Sequence, residues 1–375
     1  MATLGEKLKL LKGLMTGERA YVGPFYVCVN VTNRCNLHCP GCRFHYCNSK
    51  TKKENISVEL FAEICKQLKD MKTRTITITG EGEPLLHPHL PTLIKYARTA
   101  GLRVTMTTNG TLLDDSMVRT IVDLRLDHLK VSLWAGTLQE YTKSYPGTNP
   151  MNFHKIIDAL RLFSRYKREK KSMLPFLVLH HPCTSNNYDK IDAIIDVAKT
   201  TGCNKITFSP VRLWKDDMQS LALSPKQEQA LCRSLIQAKK KLNATPLAHN
   251  IEEMLLRYKI GMKVEKKLPC YIAWLYVRIH LDGQVFGCHN YGLPMGDLTQ
   301  KRLRDIWNDK PYRAFRRTVL TRKGLSSLGD SCNCDYCGQT MENVSVHRLF
   351  KWFSPLVNSN FPKIVDTVKS KLLLS

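Results

Sequence analysis

The chain has 375 residues, enough for one large domain and a smaller one. Its 43% apolar content excludes a disordered polypeptide, and no uncharged apolar run approaches the roughly 20 residues of a membrane-spanning helix. A net charge of +25 leaves two readings, an acidic partner (nucleic acid, anionic lipid or a phosphorylated substrate) or a solvated basic surface.

In chain order, residues 1–19 read as an N-terminal helical extension. Glu6, Lys7, Lys9, Lys12, Glu18 and Arg19 interrupt the apolar core that a signal peptide needs, so the expected compartment is the reducing cytoplasm. From 24 to 212, runs rich in Val, Ile, Thr and Phe alternate with amphipathic helical patterns. The strand candidates are 25–31, 75–79, 103–108, 128–134, 175–181 and 205–210. The first intervening helix opens on Ser57 and Glu59, with Leu60, Phe61, Ile64, Leu68 and Met71 as its stripe. Six β-α units predict a parallel sheet, because each return crossover needs a helix. Residues 224–262 read as linking helices. A second module over 263–345 contains a hairpin, 276–281 and 284–286, around the turn pair Asp282-Gly283. A short helix around Leu303, Ile306 and Trp307 follows. The tail, 346–375, carries Leu349, Phe350, Trp352, Phe353 and Leu356, which suits a closing helix or a membrane-surface contact.

The chemistry begins at Cys35, Cys39 and Cys42, spaced C-x3-C-x2-C. Three thiolates this close can hold three irons of a cubic [4Fe-4S] cluster and leave the fourth open to a ligand. A structural zinc site would want a fourth protein ligand. Downstream come Thr79-Gly80-Glu81-Gly82-Glu83-Pro84-Leu85-Leu86, then Thr107-Thr108-Asn109-Gly110, then Lys130-Val131-Ser132-Leu133-Trp134. The triplet follows strand one, the Glu83 motif follows strand two, Asn109 ends strand three and Ser132 lies in strand four. In a parallel barrel all four meet at the carboxyl rim.

These segments, in this order, resemble the radical S-adenosylmethionine (SAM) enzymes, over a core placed at 20–223. The resemblance implies an α/β fold, a partial (β/α)6 barrel with a small C-terminal cysteine-rich α+β module. It implies that SAM chelates the open iron of a cluster held by Cys35, Cys39 and Cys42. Reductive cleavage then gives a 5'-deoxyadenosyl radical that abstracts a substrate hydrogen. Gly82, Glu83, Asn109 and Ser132 become the SAM contacts. A carboxylate beside the SAM ammonium gives a charge-assisted hydrogen bond, and glycines let backbone approach a ligand closely. The family usually has an aromatic residue just before the third cysteine, against the adenine side of the cofactor. Here that position is Gly41, with Phe44 and Tyr46 as substitutes.

Cys270, Cys288, Cys334 and Cys337 form a second set, which fits zinc or an iron-sulfur cluster by spacing alone. Behind a radical SAM core it resembles the shortened "twitch" relative of the SPASM domain, as in 2-deoxy-scyllo-inosamine dehydrogenase-like proteins. The resemblance implies one auxiliary [4Fe-4S] cluster for electron transfer or site shaping. Cys332 competes with Cys334, and the x2 spacing to Cys337 favours Cys334. Cys28, Cys65, Cys203 and Cys232 read as small hydrophobes, while Cys47 and Cys183 lie near enough to the expected site to be weighed. His180, His181 and Arg212 end strands five and six, but position alone selects no acid or base.

The expected function is therefore a radical SAM oxidoreductase or maturase. The lean is toward oxidation or epimerisation of a sugar, aminocyclitol or other small molecule, an anionic one included, because no N-terminal length is spare for a leader-binding domain. The alternatives are a peptide- or protein-modifying SPASM maturase, an RNA-modifying enzyme, or a non-catalytic iron-sulfur protein. A reductant such as flavodoxin or ferredoxin is the expected protein partner, and nucleic acid is disfavoured.

Overall fold

The computed structural model describes residues 3–42, 54–211, 213, 216–260, 268–289, 292–329 and 337–353. Six parallel strands form its centre: β1 (Tyr26–Asn30), β2 (Thr75–Thr79), β3 (Arg103–Thr108), β4 (His128–Ser132), β5 (Phe176–Cys183) and β6 (Lys205–Pro210). They pair in sequence order, for example Val29 with Ile78, Met106 with Leu129, and Ser132 with His180. Helices return the chain between them: α2 (Val58–Asp70), α3 (Leu90–Thr99), α4 (Asp115–Asp123), α5 (Leu138–Ser144), α6 (Met151–Glu169) and α7 (Ile191–Thr200). Ser57 caps α2 by accepting the Leu60 N–H at 3.2 Å.

Strand alternation divides the sheet into two faces. Ile76 and Ile78, Leu129 and Val131, and Ile206 and Phe208 are buried in the core. The intervening Thr75, Thr77 and Thr79, His128, Lys130 and Ser132, and Lys205, Thr207 and Ser209 are half-buried. The barrel wall is therefore apolar where it meets helices and polar where it faces the lumen.

The sheet does not stop at six strands. The order is β10-β9-β8-β1-β2-β3-β4-β5-β6-β7, where β7 is Ala248–His249, β8 is Tyr276–Ile279, β9 is Gln284–Phe286 and β10 is Pro294–Asp297. Strand β8 runs parallel to β1, pairing Tyr276 with Tyr26 and Ile279 with Val29. Strand β9 returns antiparallel through the Asp282-Gly283 turn. The C-terminal module is thus welded to the barrel edge through backbone hydrogen bonds. The extended run around Gly296 is strand β10, and the short helix expected near Trp307 is α10 (Leu303–Trp307).

The linking segment forms α8 (Pro225–Leu242) and α9 (Ile251–Ile260). Helix α1 (Leu4–Thr16) starts in a capping box between Thr3 and Glu6. After α11 (Lys310–Val319) and α12 (Arg322–Ser327), helix α13 (Thr340–Phe353) closes the described chain. It runs unbroken across 345–346, where the sequence places the start of the tail, and its Phe350 is buried against Tyr271. Residues 354–375 lie outside the described residues. None of the described helices is long and apolar enough to cross a membrane.

Candidate active site at the carboxyl rim

Glu83 leaves β2 at the head of a short 3-10 turn, Pro84–Leu86, and is 2% exposed. Its Oε1 accepts the Thr108 hydroxyl at 2.6 Å and the Leu85 N–H at 3.1 Å, while Oε2 accepts the Asn109 N–H at 2.6 Å. Burial raises its pKa, and the three donors pull the other way. Three donors leave acceptor capacity on a carboxylate that has about four lone-pair sites. A cationic ligand group would use that capacity and offset the cost of burial.

Gly82 shows why the motif has no side chain there. Its N–H reaches the Thr32 carbonyl at 3.1 Å, and a Cβ would collide with the Arg34 backbone. The Glu83 N–H binds the Arg34 carbonyl at 2.7 Å. The Glu83 turn is therefore laced to the segment that leads into Cys35. A second lace runs from β3. Asn109 Nδ2 donates to Asn36 Oδ1 at 2.9 Å, and Asn36 Nδ2 donates to Thr111 Oγ1 at 2.8 Å.

Cys35, Cys39 and Cys42 lie on this loop, each half-buried. Burial raises the Cys35 and Cys39 thiols, and the neighbouring thiols and Glu83 raise them further. Three thiols that oppose one another's ionisation suit a cationic metal centre, which supplies the missing positive charge. Among the described residues no group of three His, Cys, Asp or Glu closes around one metal ion.

At Gly41 a Cβ would lie 2.6 Å from the Trp134 ring. The indole of Trp134 thus occupies the space above the loop between Cys39 and Cys42. Its orientation is fixed: Nε1 donates to Ser132 Oγ at 3.3 Å, its N–H donates to Tyr145 Oη at 3.2 Å, and its carbonyl accepts Asn187 Nδ2 at 2.9 Å and Ser144 Oγ at 3.2 Å. Ser132 is engaged by this ring. Phe44, Tyr46 and Cys47 lie outside the described residues.

A cavity of about 540 Å³ opens beside Gly41 and Trp134. Its wall includes His180, Lys130, Lys205 and Ser209 from the strands, and His289 and Gly338 from the C-terminal module. Those last two adjoin Cys288 and Cys337. The cavity therefore lies between the two cysteine sets. His180 faces it, with Nδ1 3.0 Å from Thr207 Oγ1. His181 faces the other way, fully buried against Phe208, and burial pushes it down to about 4. Cys183 is also fully buried, behind the strand. A larger cavity, about 1060 Å³, lies at the opposite strand ends; its Arg74 and Arg98 are engaged by Glu6 and Asp127, and no cysteine lines it.

In the C-terminal module, Cys270, Cys288 and Cys337 are half-buried, while Cys332, Cys334 and, in the core, Arg212 lie outside the described residues. The Cys270 N–H binds the Val319 carbonyl at 2.8 Å, and Arg257 donates to the Cys337 carbonyl at 2.9 Å. His280, just past β8, places Nε2 2.6 Å from Glu81 Oε1, joining the module to the Glu83 motif. Sequence reading assigned no role to Asn36, Thr108, Thr111 or Trp134. Thr108 and Trp134 stood within the quoted motifs, but only the fold shows what they touch.

Two family models match the chain: the radical SAM superfamily over residues 29–182, and the iron-sulfur cluster-binding SPASM domain over 270–338. A tungsten-containing aldehyde ferredoxin oxidoreductase cofactor-modifying protein from Pyrococcus furiosus is 22% identical over 82% of this chain and 88% of its own. A PqqA peptide cyclase from Granulibacter bethesdensis is 23% identical over 79% of this chain and 77% of its own. Among solved structures, Streptococcus suis SuiB bound to its precursor peptide SuiA aligns with a TM-score of 0.65 at 16% identity, covering 88% of this chain and 74% of SuiB. The resemblance to 2-deoxy-scyllo-inosamine dehydrogenases is minor beside these.

Proposed function

The chain is a radical SAM enzyme with a C-terminal SPASM domain, and from that premise we propose that it is a maturase acting on a peptide or protein. Its cofactors are a [4Fe-4S] cluster, an auxiliary cluster and SAM. When bound, they supply a 5'-deoxyadenosyl radical for hydrogen abstraction and an electron carrier nearby. The residues above divide the remaining work. Cys35, Cys39 and Cys42 hold the catalytic cluster. Glu83, in its ring of donors, takes the SAM ammonium, and Gly82 keeps the rim open for it. Asn109 and Ser132 line the same rim, with Asn109 bracing Asn36 beside Cys35. Trp134 supplies the aromatic surface that Gly41 lacks. Cys270, Cys288, Cys334 and Cys337 hold the auxiliary cluster.

The observation that carries the peptide reading is the match to a PqqA peptide cyclase over 79% of this chain, taken together with the fold shared with a peptide-bound SuiB. A small-molecule substrate, the expectation from the sequence, is not confirmed, and sugar oxidation in particular has no support. A flavodoxin or ferredoxin in the cytoplasm would be the electron donor.

The test is anaerobic reconstitution of the full chain with iron and sulfide, then SAM and dithionite. We expect 5'-deoxyadenosine, and a faster yield when a peptide fraction from the source cells is added. Protease treatment of that fraction should abolish the stimulation. Stimulation that survives protease would overturn the peptide reading, and no 5'-deoxyadenosine under any condition would overturn the enzymatic one.

A further inference from the structure

The cavity between the two cysteine sets is charged in an uneven way. Lys130 on β4 and Lys205 on β6 flank Val178 on β5, since Lys130 pairs with Val178 and Val178 pairs with Lys205. Strand alternation turns both lysines into the lumen, where both line the cavity. Among the described residues neither amine forms a hydrogen bond or an ion pair. Burial and the nearby Lys205 both lower the Lys130 pKa, and Glu342 and Glu253 only partly offset this.

The other charges on this wall are already committed or weakened. Glu253 lies 3.3 Å from Arg257, which also donates to the Cys337 carbonyl. Burial raises the Glu342 carboxyl and Glu253 raises it further, while its own backbone N–H, Arg257 and Lys130 pull it down less than burial lifts it. The lining thus holds Lys130, Lys205 and Arg257 against Glu253 and Glu342. Two half-buried ammonium groups on one lumen wall, one strand apart, repel, and folding tolerates this at a cost. Such arrangements concentrate at functional sites, where a ligand relieves them.

We propose that Lys130 and Lys205 together bind a carboxylate of the substrate, an acidic side chain or a peptide C-terminus. The proposal rests on reading the cavity as the substrate site. Lys130 stands two residues below Ser132 on the same strand, about 7 Å deeper in the lumen. The carboxylate would therefore anchor one end of the substrate below the rim and leave the adjoining carbon toward Gly41. Thr207, Ser209, His180 and Asn250 line the same cavity and offer neutral hydrogen bonds to the rest.

The experiment uses the full, cluster-loaded chain and radiolabelled blocked tripeptides in equilibrium dialysis. The probes are acetyl-Ala-Glu-Ala-amide, its Gln isostere, and the Gln peptide with a free C-terminus. We expect one of the two carboxylate probes to bind on the order of ten-fold or more tighter than the neutral one. Which one does so separates a side-chain from a C-terminal anchor. In Lys130→Met/Lys205→Met the advantage should vanish, while melting temperature and iron content report that the variant is folded and cluster-loaded. Equal binding of all three probes to the wild type, or an advantage that survives the double variant, would overturn the proposal. The peptide reading fails separately: glutarate binding with the same lysine dependence, while every tripeptide is excluded, keeps the carboxylate site and removes the peptide.

Discussion

Glu83 in the barrel and Arg316 in the C-terminal module are both buried charges, at 2% and 0% exposure, yet their surroundings differ in kind. Glu83 takes its three donors from one short stretch of rim and keeps acceptor capacity to spare. Arg316 collects partners from across the chain: Nε donates to the Ala273 carbonyl at 3.0 Å, and one terminal nitrogen donates to the Glu18 carbonyl and Asn308 Oδ1, both at 3.2 Å. The faces of Trp307 and Tyr312 lie 4.4 and 4.9 Å from its guanidinium carbon. Burial depresses its pKa to about 10, still far above neutrality. A buried charge wrapped by distant segments is a rivet. The other terminal nitrogen of Arg316 is buried with no hydrogen-bond partner among the described residues, so spare capacity alone does not make a receptor; capacity beside a glycine-cleared rim does.

The largest expected effect breaks the rivet. Arg316→Met strands the Ala273 and Glu18 carbonyls, leaves Asn308 Oδ1 with only its Ala20 N–H donor, and removes the cation–π contacts. Two stranded acceptors at about 1 kcal/mol or more each, with the cation–π contacts at about 0.5–1 kcal/mol each, put the loss at about 3 kcal/mol or more. Denaturant unfolding of the full chain measures it. A midpoint equal to the wild type would show that Arg316 is no rivet at all.

His181 adds a buried group that is kept neutral, and pH can charge it. Its pKa falls from 6.5 to about 4 because burial penalises the cation, against the Leu133 carbonyl 3.0 Å from Nδ1. Between those values the unfolded chain binds a proton that the folded chain refuses. Stability from this group is therefore full above about pH 6.5 and is lost as pH falls toward 4, by about 3 kcal/mol in all. His181→Asn, whose amide can still donate to the Leu133 carbonyl, should flatten that acid limb. Parallel limbs in unfolding curves for the two proteins would assign the acid loss elsewhere.

The receptor and the rivet also differ in how far the sequence announced them. The Glu83 cradle is built from two short motifs at the ends of adjacent strands, so Gly82, Glu83 and Asn109 each stand out locally, and the six core strands fall within two residues of their expected ends. The hairpin after Tyr276 was equally legible, because Asp282-Gly283 is a local signal. Its parallel pairing with β1 was not, since those strands lie about 250 residues apart and each is compatible with many partners. Arg316 looked like one more base in a chain of net charge +25. Trp134 stood in plain view, but only folding brings it onto Gly41.

Glu83→Gln tests the receptor. An amide oxygen in the Oε1 position can still accept from Thr108 and Leu85, but the amide nitrogen would then face the Asn109 N–H, so melting temperature and iron content are measured beside binding to show that the fold holds. What goes is the charge offered to an ammonium, a difference of about 1.5–3 kcal/mol for a charged hydrogen bond. The SAM dissociation constant, measured by equilibrium dialysis on reconstituted protein, should rise on the order of ten-fold or more. An unchanged constant would turn Glu83 into a brace for the turn and erase its contrast with Arg316.

Gly41 and Trp134 probe the same distinction where no charge is involved. In Gly41→Ala the new methyl meets the edge of an indole whose Nε1 donates to Ser132 and whose backbone is pinned by Tyr145, Asn187 and Ser144. The loop must yield rather than the ring, at a cost of about 1 kcal/mol. Because that loop carries Cys39 and Cys42, iron retention should fall along with the melting temperature. Trp134→Phe shortens the ring and frees the space, so Gly41→Ala made in that background should cost almost nothing. The double-mutant cycle then gives a coupling of about 1 kcal/mol. Additive losses would mean that the ring and the loop do not bear on each other, and that Trp134 packs beside the cluster loop without shaping it.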